Sequence, residues 1–235
     1  MQIHGLNKTT LLDYPEHIAA TVFTGGCNFR CPFCHNGDLV LRAKEVPLIP
    51  EEEVFAYLEK RKGILEGVCV TGGEPTLQKD LNAFIRKVKK LGYLVKLDTN
   101  GYRPEVLREL LEEGMLDYVA MDVKASLQNY GRAVGSPAAA TAFDTSPIEE
   151  SIRLLKKNSI PYEFRTTVVK GIHTEEEFEE IGRLLSGCRV YYIQSYRHNE
   201  NVIAPGYMEY SGEELRRMAN KAKKYIDKVE LRGVE

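Results

Sequence analysis

Ile18-Ala19-Ala20-Thr21-Val22-Phe23-Thr24-Gly25-Gly26-Cys27-Asn28-Phe29-Arg30-Cys31-Pro32-Phe33-Cys34-His35-Asn36 begins as an apolar run, passes two glycines and ends in three cysteines. The run 18–24 reads as a strand, because it is short, rich in β-branched residues and stopped by glycine. The cysteines follow as C-x3-C-x2-C, in a loop at the strand's end. Three thiolates this close together can hold a metal or an iron–sulfur cluster. A [4Fe–4S] cluster normally takes four Cys ligands. Three would leave one iron open, and an open metal position is where chemistry happens, as at catalytic zinc. A zinc site completed by His35 or a distant ligand fits the same residue types, as do disulfides.

Outward from this segment, strand-like and helix-like stretches alternate. The strand-like runs are 18–24, 67–71, 93–98, 117–123, 162–169 and 189–194, each bounded by Gly, Asp, Asn or Pro. The helix-like runs are about 50–62, 77–91, 104–113, 147–158, 174–186 and 211–228, with apolar residues three and four apart. In 77–91 the stripe is Leu77, Leu81, Phe84, Ile85, Val88 and Leu91. Pro104 suits a first helical turn. Thr174 and Glu177 have capping-box spacing, and Gly92 and Gly114 stand where helix C-caps would. Six strand–helix units predict an α/β fold with parallel strands and right-handed crossovers. That is two units short of a closed eight-fold barrel, so the expectation is a partial, open (β/α)6 TIM-like barrel in a single domain over 1–235. In that expectation 1–16 form an extension or hairpin, 17–200 the barrel core, and 201–235 a C-terminal helix and tail. Val229-Glu230-Leu231-Arg232 is a candidate last strand. Residues 125–146, rich in Gly, Pro and Ala, read as a long loop over the C-terminal face and a candidate lid.

Composition narrows the function classes. The chain has 235 residues, 43% hydrophobic and 28% charged, with net charge −2. No basic block supports nucleic-acid binding. No stretch approaches the ~20 apolar residues of a membrane helix, and no signal peptide is visible. The expectation is a cytoplasmic protein, where structural disulfides are rare. Cys69 and Cys188 stand apart and read as small buried hydrophobes.

Polar residues collect where the strands should end. They include Thr71-Gly72-Gly73-Glu74-Pro75, Asp98-Thr99-Asn100-Gly101, Asp122 and Lys124 at the end of the fourth strand, Arg165 in the fifth, and Gln194 to Arg197 at the sixth. In a parallel barrel these ends share one face, which is where active sites lie. Paired glycines let a backbone come close to a ligand. Asp98, Asp122, Lys124 and Arg165 are suited to a zwitterion or a ribose.

With these motifs the chain resembles the radical S-adenosylmethionine (SAM) enzymes, and among them the activating enzymes of glycyl radical enzymes, in particular those of anaerobic ribonucleoside-triphosphate reductases. The resemblance runs from Gly5-Leu6-Asn7-Lys8-Thr9-Thr10-Leu11-Leu12-Asp13-Tyr14-Pro15 to Glu230-Leu231-Arg232-Gly233. C-x3-C-x2-C with Phe33 before the last Cys carries it, together with Cys34-His35-Asn36. It implies that Cys27, Cys31 and Cys34 ligate three irons of a [4Fe–4S] cluster, with SAM chelating the fourth. Gly72, Gly73 and Glu74 resemble the segment that binds the SAM amino group. Asp98, Asp122, Lys124 and Arg165 resemble positions holding its carboxylate and ribose, the two aspartates also lying near a monovalent-cation site. Phe33 and the backbone near Ile193 would border the adenine. The chain departs from formate-lyase activating enzymes after Tyr196, where Arg197 precedes His198. It also lacks a ferredoxin-like insert, so one cluster is expected.

The implied reaction is one-electron cleavage of SAM and removal of a hydrogen atom from a glycine of a partner protein. The partners implied are a glycyl radical enzyme as substrate and a flavodoxin or ferredoxin-type electron donor. The alternatives are a radical SAM enzyme acting on a small molecule or on another protein or peptide, and a non-enzymatic zinc or iron–sulfur module.

Overall fold

The computed structural model of the chain describes residues 1–136 and 143–234. Its strands form one sheet whose spatial order is the sequence order. They are β1 (Ile3–Thr10), β2 (Ala19–Thr24), β3 (Gly67–Gly72), β4 (Leu94–Thr99), β5 (Tyr118–Asp122), β6 (Tyr162–Val168), β7 (Tyr191–Ser195) and β8 (Val229–Arg232). β1 runs antiparallel to β2, and every later neighbour is parallel. The six strands read from the sequence are β2 to β7. The extended N-terminal segment becomes β1, and the tail adds β8, a seventh parallel strand. β1 and β8 are the two edges, so the sheet stays open.

The helices are α1 (Gly37–Leu41), α2 (Glu51–Lys60), α3 (Leu81–Lys90), α4 (Pro104–Glu112), α5 (Tyr130–Ala133), α6 (Ser146–Lys157), α7 (Glu177–Leu184) and α8 (Gly212–Ala222). Pro104 opens α4 as expected. Gly92 and Gly114 follow α3 and α4 at φ +93° and +64°, the left-handed geometry that ends a helix. Several sequence expectations need correction: the helix-like run 211–228 ends at Ala222, and the expected loop 125–146 holds the short helix α5. Leu77 is not in α3, because Pro75–Leu77 is a separate 3₁₀ turn whose Thr76 N–H is taken by the Glu74 carboxylate. Thr174 and Glu177 form no capping box, because the turn bonded to the end of β6 delays α7 until Glu177. The capping box belongs to α8, between Ser211 and Glu214.

Alternation decides the two faces of the sheet. Val95, Leu97, Val119, Met121, Phe164 and Ile193 are fully buried in the hydrophobic core. Phe84 and Ile85 of α3 and Leu107 and Leu110 of α4 belong to the same core, each buried side chain contributing about 1.5–3 kcal/mol. The alternate positions carry Lys96, Asp98, Asp122, Glu163, Arg165 and Gln194, brought side by side by the register Asp122↔Arg165 and Thr167↔Gln194. Cys69 and Cys188 are both buried, as expected of small hydrophobes.

Candidate active site

A cavity of about 460 Å³ opens at the C-terminal ends of the parallel strands. Cys27, Cys31, Phe33, Cys34, Gly72, Gly73, Glu74, Asp98, Asp122, Lys124 and Arg165 all line it. Parallel pairing achieves this convergence by setting the ends of β2 to β7 side by side. Asp13, Asn100 and Gln194 also line the cavity. Asp13 arrives from the turn after β1 and accepts a 2.6 Å hydrogen bond from Thr21 Oγ1. No spacing or periodicity within the N-terminal stretch marks Asp13 as cavity-lining, because its position depends on how the chain turns from β1 into the antiparallel neighbour β2.

The cysteine loop is held from three sides. Asn36 Nδ2 donates to Gly72 O at 2.7 Å. The Arg30 amide donates to Val134 O at 2.9 Å, and Ala204 N to Pro32 O at 2.9 Å. His35 stacks on Tyr196 with ring centroids 5.3 Å apart, and its Nε2 donates to Arg197 O. Gly72, the last residue of β3, and Gly73 after it serve this packing. A Cβ on Gly73 would stand 2.0 Å from Gly26 O, and Gly72 has φ +117° with a Cβ site 2.3 Å from Thr24 N. The close approach is therefore to the protein's own backbone, at the end of β2 for Gly72 and at Gly26, which leads into the cysteine loop, for Gly73.

Glu74 is buried, and its acceptor capacity is used within the protein. Its carboxylate accepts from Thr76 N at 3.1 Å, Thr76 Oγ1 at 2.5 Å, Thr99 Oγ1 at 2.7 Å and Asn100 N at 2.7 Å. Burial pushes its carboxyl up, against these bonds. Glu74 thus ties the loop after β3 to the loop after β4. Asn100 extends the tie, its Nδ2 reaching Asn28 Oδ1 at 2.8 Å and lying 3.8 Å from Cys27 Sγ.

A row of alternating charges crosses the cavity. Lys96 pairs with Asp98, and Arg165 bonds Asp98 at 3.3 Å and Asp122 at 2.9 Å. Lys124 meets Asp122 at 3.0 Å. Burial alone would raise the Asp122 carboxyl, but Arg165 and Lys124 outweigh it and hold it at about 2. Asp98 is lowered in the same way by Arg165 and Lys96. Lys124 is raised, because Asp122 and the thiols of Cys31 and Cys34 outweigh its burial. Asp98 and Asp122 are thus each held between cationic side chains, while Asp13 and Glu74 also line the cavity.

Burial pushes Cys27 up to about 11, opposed by the Phe29 amide 3.3 Å from its sulfur, and Cys31 up to about 12, opposed by Lys124. Thiolates at these positions need positive charge, which a metal centre supplies. Among the described residues no three His, Cys, Asp or Glu side chains gather around one point as a single zinc ion requires. Three thiols opening onto one cavity, with an N–H aimed at sulfur and a lysine beside them, suit a cluster in which each takes its own iron. Neither Arg197 nor His198 lines the cavity. Arg197 instead pairs with Glu209 and bonds Gly233 O, while His198 Nδ1 lies 3.3 Å from Tyr196 Oη.

The candidate lid, 125–146, is tied down at both described ends. Phe29, Tyr102, Tyr130 and Phe143 form one aromatic cluster, and Gly135 packs on Arg30 O. The middle of the lid, 137–142, lies outside the described residues. No described helix is long and apolar enough to cross a membrane.

The Radical SAM superfamily profile matches residues 21–185. Over 238 aligned residues the chain is 36% identical to "Putative glycyl-radical enzyme activating enzyme MJ1227" of Methanocaldococcus jannaschii, covering 99% of this chain and 96% of that protein. It is 31% identical over 160 residues to a "Probable GTP 3',8-cyclase" of Thermococcus kodakarensis, covering 67% of this chain and half of the cyclase. Among solved structures it resembles a radical SAM methyltransferase from Sphaerobacter thermophilus, with TM-score 0.70 and 16% identity over 93% of this chain and 67% of that one. Streptococcus suis SuiB bound to S-adenosylmethionine gives TM-score 0.65 at 15% identity over 90% of this chain and 48% of SuiB. The profile and the full-length relative, on a sheet whose strand ends gather three cysteines around a charged cavity, make this chain an enzyme of the radical SAM superfamily, whose members work with a [4Fe–4S] cluster and S-adenosylmethionine.

Proposed function

We propose that the protein is an activating enzyme for a glycyl radical enzyme, with anaerobic ribonucleoside-triphosphate reductase as the partner. The observation that carries this reading is the likeness, over nearly its whole length, to a relative named as such an activating enzyme.

In this reading Cys27, Cys31 and Cys34 hold the cluster, and Phe33, Gly72, Gly73, Asp98, Asp122, Lys124 and Arg165 hold SAM. When bound, the cluster, once reduced by an electron donor, would supply one electron to the sulfonium of SAM, and cleavage of an S–C bond there would release methionine and leave a carbon radical able to take a hydrogen atom. The chain's own residues bind, orient and exclude water. Lys124 sets a fixed positive charge beside the thiolates. Arg165, braced by Asp98 and Asp122, presents a guanidinium whose position costs no reorganisation when an anionic group binds. Gly72 and Gly73 keep the loop after β3 against the cysteine loop, and Glu74 joins that loop to Asn100. Phe33 and the Tyr130 cluster wall off water on one side. A flavodoxin or ferredoxin-type protein is the proposed electron donor.

The test is deuterium transfer from a glycine-labelled partner subunit into 5′-deoxyadenosine under anaerobic reducing conditions. Label should appear with the parent protein and be absent with Cys31→Ala. SAM cleavage without label in the nucleoside, across candidate glycyl radical subunits, would favour a small-molecule substrate instead.

A further inference from the structure

His173 lies after β6, was not marked by the sequence motifs, and is only 2% exposed. Its Nδ1 accepts the Val169 amide at 3.1 Å, so the proton sits on Nε2, which donates to Lys124 O at 2.7 Å. The ring also meets Phe33 edge-on, with centroids 5.9 Å apart. Two further side chains grip the same short segment. Tyr130 Oη accepts the Lys124 amide at 3.2 Å, and Glu177 Oε1 accepts the Ser126 amide at 2.7 Å. Both backbone groups of Lys124 and the amide two residues on are therefore fixed by side chains from α5, α7 and the turn after β6. A loop in this place would ordinarily be mobile. Here it is the support of the ammonium group that pairs with Asp122 and opens onto the same cavity as the cysteine thiols.

We infer that His173 is a positioning residue, which locks the backbone of Lys124 and thereby aims the Lys124 ammonium at the cluster and SAM site. The inference rests on the proposed reading of the cavity. His173 touches neither reacting group, and its influence passes through Lys124 and Phe33. Burial keeps the imidazole neutral, which preserves the acceptor at Nδ1 that the Val169 amide requires.

The experiment compares His173→Phe, which keeps a ring and removes both hydrogen bonds, with His173→Gln, whose amide can restore the donor to Lys124 O. Tyr130→Phe serves as a milder variant, removing only the hydroxyl that holds the Lys124 amide. Two readouts are taken. In the metal-free chain, amide exchange at Lys124 and Ser126 should quicken about tenfold in His173→Phe and recover toward the parent in His173→Gln, as expected for one lost hydrogen bond. In cluster-loaded, unreduced protein, SAM affinity should fall about tenfold in His173→Phe. That loss should vanish when Lys124 is already Met, since a residue acting through Lys124 has nothing left to aim. Unchanged amide exchange, or an affinity loss that persists in full beside Lys124→Met, would overturn the inference. A parent protein that binds no SAM, while its amides respond as described, would count against the reading of the cavity and leave the backbone lock standing.

Discussion

Replacing Glu74 by Gln separates two roles for that residue, a ligand for SAM or a clasp between loops. In the structure Oε1 accepts three hydrogen bonds and Oε2 accepts one, from the Asn100 amide. A glutamine must put its NH2 group at one of these positions, and the less damaging choice is Oε2. There it faces the Asn100 N–H, donor to donor. The lost charge-assisted bond is worth about 1.5–3 kcal/mol, and the stranded amide costs about 1–3 kcal/mol more. Removing a buried charge offsets part of this, consistent with burial already pushing the carboxyl up. The net expectation is a loss of about 2–3 kcal/mol, which for a chain this long lowers Tm by about 5–10 °C. Thermal unfolding of the metal-free chain, followed by far-UV circular dichroism, measures it. A shift under about 2 °C, with SAM binding abolished in the loaded protein, would refute the clasp and return Glu74 to the ligand.

Arg165→Met should be costlier, because it leaves Asp98 and Asp122 facing each other with one brace removed. Breaking a buried ion pair costs about 3–5 kcal/mol, and urea unfolding showing a loss under about 1 kcal/mol would contradict the geometry. Gly73→Ala would drive a Cβ into Gly26 backbone atoms 2.0 and 2.7 Å away. Overpacking of this kind costs about 1–3 kcal/mol or more, and iron and sulfide uptake should drop with it; normal uptake would show the cysteine loop indifferent to that contact. Stability should also fall in mild acid through His173. Its folded pKa is lowered, mainly by burial and despite Glu177 and the hydrogen bonds, so the unfolded chain takes up the proton first. This contribution is complete above the unfolded value of about 6.5 and is lost as pH falls below it, by up to about 1.4 kcal/mol per pH unit. His173→Gln should flatten the fall in Tm between pH 7 and 5, and an equally steep fall would assign the acid sensitivity elsewhere.

The alternation of strands and helices was legible because period-2 and period-3.6 apolar patterns, punctuated by glycine, proline and aspartate, survive in a sequence without its fold. The convergence of Cys27, Gly72, Asp98, Asp122 and Arg165 followed from topology alone, since parallel strands deliver their ends to one face. Three kinds of feature were not legible. The shortening of α3 depends on the Glu74 carboxylate taking the Thr76 amide across a turn. The reason for Gly72 and Gly73 lies in the backbone of Thr24 and Gly26, about fifty residues earlier in the chain. Asp13 and His173 act through partners that only tertiary packing supplies, namely Thr21 for one and Lys124 O for the other. A polar residue whose partner is a distant backbone atom leaves no periodic trace, which is why the support of the site was harder to read than its lining.

The most direct test is the electron paramagnetic resonance spectrum of anaerobically reconstituted, reduced protein mixed with SAM and the glycyl radical subunit of an anaerobic ribonucleotide reductase. A glycine-centred doublet on that subunit, absent with Cys31→Ala, is the predicted result. SAM consumption without a doublet on that subunit would contradict the proposed partner, and its absence on every glycyl radical subunit tried would contradict the activating role itself.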